Sequence, residues 1–264
     1  MDMIGFIGMG NMGTAMLKGA KRTFDGSQII FYRKSVDKMK ELAEEEKVNY
    51  AMSNSEVVEK SKYIILAIKP QMFEKVIDEI NDSLDNDKVI ISLAPGFTIT
   101  QLKEKLKAGR IVRSIPNTPA MIGEGMTGVC FDENEFDENE IDVINKIFEA
   151  TGKAKKVDEK LMNSVVCASG SSPAYVFMFI EALADSAVKC GLPRKDAYEF
   201  VAQTVLGSAK LMLETGKHPG ELKDMVCSPG GTTIAGVAEL EKNGFRKAIF
   251  EATDACFNKC NNIK

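Results

Sequence analysis

Two glycine-rich turns, more than two hundred residues apart, hold the residue types that binding chemistry needs. The first, FIGMGNMG, places Gly8, Gly10 and Gly13 in G-x-G-x-x-G spacing between an apolar run and a helical pattern. In that context Gly8 takes the tight turn, Gly10 lets backbone approach a pyrophosphate, and Gly13 lets the helix pack close on the strand. Met9, Asn11 and Met12 complete the turn and the first helical N–H groups, which offer phosphates unpaired donors and a partial positive charge. A structural turn without nucleotide is the alternative. The second turn, MVCSPGGTTIAG, sets Ser228, Gly230, Gly231, Thr232 and Thr233 at the start of another helical pattern. A helix beginning there presents free N–H groups, a ready site for a carboxylate. A plain Pro-Gly-Gly link between helices is the other reading.

The second apolar run ends FYRKS, with Tyr32, Arg33, Lys34 and Ser35 where an NAD-binding protein usually carries a carboxylate for the ribose 2′-hydroxyl. Two cations and a hydroxyl suit the 2′-phosphate of NADP; a solvated helix start is the bland reading. AIKP (Ala67, Ile68, Lys69, Pro70) and SIPNTPA (Ser114 to Ala120) follow later apolar runs. Ligands of open α/β sheets bind outside the carboxyl ends of strands, so Lys69 is a candidate for the nicotinamide ribose. Pro116 and Pro119 stiffen a loop suited to lining the nicotinamide pocket. Both stretches also read as loop punctuation.

The catalytic kit is sparse. His218, the single histidine, sits in a helix-end and turn context, TGKHPGEL, and no Gly-x-Ser-x-Gly elbow occurs. No lysine falls between Leu161 and Phe179, where some two-domain dehydrogenases place one to handle a hydroxyl proton. A cofactor without an obvious general base suits a cyclic imine, which once protonated accepts hydride directly. Positioning alone then supplies roughly 7–11 kcal/mol of barrier reduction in favourable cases.

The elements that must position these residues fall into two groups. Through residue 160, short apolar runs at 3–7, 29–32, 63–68, 89–93 and 111–115 alternate with helical patterns at 12–21, 36–46, 71–81 and 98–106. That alternation predicts a parallel sheet covered on both faces, extended by a later strand–helix–strand stretch. Beyond it the strand signals stop, and helices are predicted at 161–167, 174–190, 194–214, 233–242 and 246–259. The fold class is thus α/β: a Rossmann-type doubly wound parallel sheet (residues 1–160) and a C-terminal all-α domain (161–264). Several late helices are apolar around much of their circumference, more than one stripe requires. A second copy of the chain is the expected cover.

The 264 residues are 44% apolar and 27% charged, with net charge −4, values of a soluble globular protein that disfavour nucleic acid as main partner. The six cysteines lack paired short spacings, so neither a metal site nor a disulfide framework is expected. Cys256 and Cys260, four apart, read as small buried apolar residues. MDMIGFIGMG lacks a basic n-region, and the most apolar stretch, 174–180, is shorter than the roughly 20 residues a bilayer needs. A cytoplasmic protein without a membrane span is expected.

FIGMGNMG, AIKP, PNTPA, SGSSPAY, GLPR and HPGELKDMVCSPGGTTIAGVAELEKNGFR occur in the order found in pyrroline-5-carboxylate reductases, and the resemblance covers nearly the whole chain. It implies NAD(P)H-dependent reduction of 1-pyrroline-5-carboxylate to L-proline; Arg33 and Lys34 favour NADPH, with NADH left open as donor. It also implies a homodimer with interleaved helical domains, often assembled into a decamer. By that likeness Asn54, Ala67, Lys69 and Ala94 line the cofactor, while Ser228, Gly231, Thr232 and Thr233 form the substrate loop. The last threonine contacts the ring nitrogen, which makes Thr233 the catalytic candidate. The chain departs from the family at Pro95, where alanine or glycine is more usual, and in the more basic Arg33–Lys34 pair. Two competing readings are another two-domain dehydrogenase, acting on a hydroxy acid or a different imine, and a non-catalytic NADP sensor.

Overall fold

The computed structural model describes residues 2–262 and divides into two compact units. One comprises the chain up to Ser171 together with the segment from Cys256; the other is Ser172–Ala255. The division falls later than the change of sequence pattern near residue 160.

Among the described residues of the first unit, eight strands form one sheet. They are β1 (Ile4–Ile7), β2 (Ile29–Tyr32), β3 (Asn49–Tyr50), β4 (Tyr63–Leu66), β5 (Val89–Ser92), β6 (Arg110–Ile115), β7 (Gly125–Cys130) and β8 (Gly152–Lys156). Helices α1 (Asn11–Ala20), α2 (Val36–Glu46), α3 (Asn54–Lys60), α4 (Phe73–Ile80), α5 (Ile99–Lys105) and α6 (Glu138–Glu149) cover it. The sheet order is β3-β2-β1-β4-β5-β6-β7-β8. Side chains alternate between its faces. Phe6, Phe31, Ile65 and Ile91 pack with α1, α2 and α6; Ile7, Ile30, Ile64, Leu66 and Ile90 pack with α3, α4 and α5. Strands buried on both faces read as unbroken apolar runs, which is why the central ones are visible in the sequence.

The sheet is mostly rather than wholly parallel, because β7 runs antiparallel to β6 while β8 runs parallel to β7. Only residues 116–124 join β6 to β7. A parallel return needs a crossover of about a dozen residues or more, so this loop permits only the reversed direction.

A buried carboxylate fastens the ends of the strands remote from the first turn. Glu140 in α6 is fully buried; it accepts from the Arg110 guanidinium and pairs with Lys62 Nζ at 3.1 Å. Its Oε2 also accepts from the Asp137 N–H at 3.1 Å, completing a capping box. Burial works against the charge on Lys62, but the Glu140 carboxylate outweighs it and holds the ammonium above its ordinary pKa. Glu140→Gln preserves the capping box and removes the charge. It is expected to lower unfolding stability by about 3 kcal/mol in urea titration, the low end for a broken buried pair because both cations keep some water.

After the sheet come α7 (Met162–Val165) and a π-helical turn, Val166–Gly170. The second unit contains α8 (Ser172–Lys189), α9 (Arg194–Thr215), α10 (Pro219–Val226), α11 (Thr232–Lys242) and most of α12 (Phe245–Asn261). Its own buried cluster, among the described residues, is Ala184, Ala197 and Val201. Phe177, Met178, Phe200, Leu213 and Phe250 are each more than 60% exposed. The helical run Glu159–Lys189 is long and apolar enough to cross a membrane by length and composition. Contiguous apolar residues alone put the longest candidate at 174–180; the small residues before that stretch continue the helix rather than end it. The end of α12 returns to the first unit, where Cys256 Sγ lies 3.3 Å from Ser171 Oγ. Cys260 is buried there with Ile115, Met162 and Val166.

Candidate active site

The first turn leaves β1 where that strand is flanked by β2 on one side and β4 on the other. Chain connections diverge at such a point and open a crevice beyond the carboxyl ends of the strands. Gly8 has φ +93°, a conformation that suits glycine, and a Cβ there would lie 2.5 Å from the Ala67 carbonyl oxygen. A Cβ on Gly13 would lie 2.0 Å from the Gly8 carbonyl oxygen. Gly10 differs: a Cβ would meet no protein atom within 4 Å, so its missing side chain leaves room for something outside the protein. No side chain caps α1, and its first turn holds no acid, so its N–H groups face outward unsatisfied.

Beside the turn lies a cleft of about 330 Å³ lined by Gly8, Met9, Gly10, Arg33, Lys34, Asn54, Ala67, Ile68 and Lys69. Tyr32, Met72 and Val76 line it too. Arg33, Lys34 and Lys69 form no ion pair among the described residues. The cleft therefore combines three uncommitted cations with a helix N-terminus. That donor set fits a dinucleotide carrying a pyrophosphate and a further phosphate.

The remaining sequence candidates sit around this cleft rather than in its lining. Asn11 is exposed at the start of α1, Met12 packs on the core, and Gly13 is buried beneath the turn. Ser35 is the exposed N-cap residue of α2, and its side chain makes no capping bond. Pro70 begins a 3₁₀ turn, and Ala94 is buried just after β5. Asn117, between the two prolines of SIPNTPA, accepts from the Met126 N–H at 2.9 Å and so holds the start of β7. Sequence reasoning missed Met72, Val76 and the helix α3 that carries Asn54. That helix is short and capped by Ser53, which accepts from the Glu56 N–H at 3.1 Å. A larger hollow of about 420 Å³ lies beside Asp2, Ser61, Lys62 and Lys88, at the opposite ends of the strands, where this class of sheet does not bind ligands.

The second turn joins α10 to α11. Gly230 has φ +69°, and the Gly231 N–H donates to the Ser228 carbonyl at 3.0 Å, closing the turn. Gly231 is the N-cap residue of α11 and offers no side chain, and the helix begins at Thr232 without an acid in its first turn. Ser228, Gly230, Thr232 and Thr233 are exposed. This N-terminus can receive one small anion, with hydroxyls beside it. His218 plays a structural part, because its Nδ1 accepts from the Gly220 N–H at 3.1 Å and caps α10. The buried Cys130 and Cys167 are poor nucleophiles. Burial, then the neighbouring Cys256 and Cys260, pushes the Cys167 thiol up to about 12, and burial raises Cys130 as well.

A doubly wound sheet with a G-x-G-x-x-G turn where the strand order diverges, followed by an all-helical unit, is the architecture of a two-domain nicotinamide-dependent oxidoreductase. Residues 159–263 match the family described as "Pyrroline-5-carboxylate reductase dimerisation", and residues 3–96 match "NADP oxidoreductase coenzyme F420-dependent". The chain is 49% identical to the pyrroline-5-carboxylate reductase of Escherichia coli strain K12 over 259 residues, 97% of this chain and 96% of that one. It is 40% identical to the enzyme of Arabidopsis thaliana over 254 residues, 96% of this chain and 92% of the relative. The crystal structure of Plasmodium falciparum pyrroline carboxylate reductase with NADP bound superposes with a TM-score of 0.90 at 32% identity, covering 99% of this chain and 98% of that one. The chain belongs to the pyrroline-5-carboxylate reductase family.

Proposed function

We propose that the protein reduces the cyclic imine 1-pyrroline-5-carboxylate to L-proline with NADPH, the last step of proline biosynthesis. The observation that carries this reading is the cleft at the first turn, where three uncommitted cations meet an uncapped helix N-terminus. When bound, NADPH supplies the hydride that the imine carbon accepts. The chain's own work is binding and orientation. The turn from Gly8 to Gly13 holds the pyrophosphate, Arg33, Lys34 and Ser35 the 2′-phosphate, and Lys69 the nicotinamide ribose. Asn54, Ala67, Ile68, Pro70 and Ala94 shape the rest of the cofactor's bed, and NADH is the weaker donor. Ser228, Gly230, Gly231 and Thr232 receive the substrate carboxylate on the N–H groups of α11. Thr233 Oγ1 accepts from the protonated ring nitrogen, which holds the iminium in its reactive form.

Residues 1–160 serve as the dinucleotide-binding domain and 161–264 as the substrate-binding and dimerisation domain. The exposed apolar helices are covered by a second copy in a homodimer, and sedimentation distinguishes that dimer from a decamer. A cytoplasmic setting suits six cysteines kept as thiols.

The deciding assay follows loss of reduced-nicotinamide absorbance with 1-pyrroline-5-carboxylate and each cofactor. Oxidation of neither NADPH nor NADH would sink the proposal. Thr233→Val is expected to lower kcat by about 10- to 100-fold, the value of one charge-assisted hydrogen bond, with cofactor affinity nearly unchanged. An equal loss of NADPH binding would remove the threonine from the substrate's side of the reaction.

A further inference from the structure

Asn54 is 8% exposed, opens α3 and lines the first-turn cleft with Arg33 and Lys34. A primary amide has two different ends, a donor and an acceptor, and which one faces a ligand decides what that ligand must offer. Here the orientation is set from behind. Asn54 Nδ2 donates to Glu79 Oε2 at 2.7 Å, and an ionised carboxylate can only accept, so the amide nitrogen must turn toward α4. The acceptor Oδ1 is left for the cleft. A second bond fixes the same junction: Ser55 Oγ donates to the Glu79 carbonyl at 2.6 Å. Among the described residues Glu79 forms no ion pair; it is exposed, and its Oε2 accepts from the Asn54 amide.

We infer that Glu79 is a positioning residue for cofactor discrimination, holding the Asn54 amide with its carbonyl oxygen toward the dinucleotide. That oxygen, with a carboxylate behind it, accepts from a ribose hydroxyl and works against a phosphate at the same place. Preference for NADPH then comes from Arg33 and Lys34 acting against Glu79. The inference rests on the proposal that the cleft holds NADPH.

Glu79→Gln removes the charge and lets either end of the Asn54 amide face the cleft. KM for NADPH and for NADH should be measured in this variant, in Asn54→Ala, in the Glu79→Gln/Asn54→Ala double variant and in Arg33→Ala/Lys34→Ala, with Tm read in parallel. In Glu79→Gln the ratio KM(NADH)/KM(NADPH) is expected to rise by about three- to tenfold, the value of one hydrogen bond. In the Asn54→Ala background the same substitution should move that ratio by less than half as much, because the effect passes through the amide. A loss of packing alone would lower Tm and weaken both cofactors together, leaving the ratio fixed. An unchanged ratio overturns the inference, as does a full shift without Asn54. If Asn54→Ala and Arg33→Ala/Lys34→Ala both leave every cofactor KM unchanged, the cleft assignment itself falls and takes the inference with it.

Discussion

Gly13→Ala is expected to lower kcat/KM for NADPH by more than about 100-fold and Tm by about 5 °C. The added methyl would lie 2.0 Å from the Gly8 carbonyl oxygen, and that oxygen is main chain, with no flexible side-chain tip to swing aside. Gly8 cannot retreat either, because it already packs against the Ala67 carbonyl and holds a positive φ. The turn must therefore open, which moves the N-terminus of α1 off the cleft proposed for the phosphates. Gly10→Ala provides the contrast. Its methyl meets no protein atom, so Tm should stay at the parent value while KM for NADPH rises, since only the approaching cofactor is obstructed. Parent-like KM and Tm in Gly13→Ala would show that the turn is not as tight as its geometry requires.

The second large effect concerns self-association. Phe177 is 63% exposed and Phe250 is 69% exposed, in a unit whose own core is three small or medium side chains. Burying a phenylalanine is worth about 1.5–3 kcal/mol, and two-fold symmetry counts each substitution twice. Phe177→Asp together with Phe250→Asp should therefore weaken the proposed dimer by at least about 10⁴-fold, giving monomers at micromolar concentration in sedimentation velocity. Activity per chain is expected to fall with it, because the unit that bears Ser228 to Thr233 loses the surface that steadies it. A variant that remains dimeric would clear this face of the role. Flotation of the parent with phospholipid vesicles would then point to a bilayer as its cover, as the length of the Glu159–Lys189 helix allows.

Much of the fold was legible because burial repeats. Strand 29–32 and helix 36–46 lie where the apolar spacing put them. The two-residue β3 is too short to establish a period, and the apolar residues of α3, Val57 and Val58, are adjacent and set no helical spacing, so neither was legible. α10 was missed because His-Pro-Gly reads as a turn, whereas Pro219 occupies a first-turn position where the absent N–H costs nothing. The reversal of β7 depended on the length of one loop, and alternation of strands and helices says nothing of direction. The basic pair at 33–34 and both glycine turns could be found from local chemistry alone. The bond between Asn54 and Glu79 could not, because it exists only once α3 and α4 pack side by side.

The way the chain passes between its two units has a further consequence. It leaves the first unit after Ser171 and re-enters at Cys256, and the side chains of those two residues are 3.3 Å apart. The helical unit is thus an excursion of the chain that leaves and re-enters the first unit at neighbouring residues. Closing the gap between residues 171 and 256 with a few glycines would cost little loop entropy and would retain every residue that lines the first-turn cleft. The first unit is, in topological terms, a continuous protein into which the rest has been spliced.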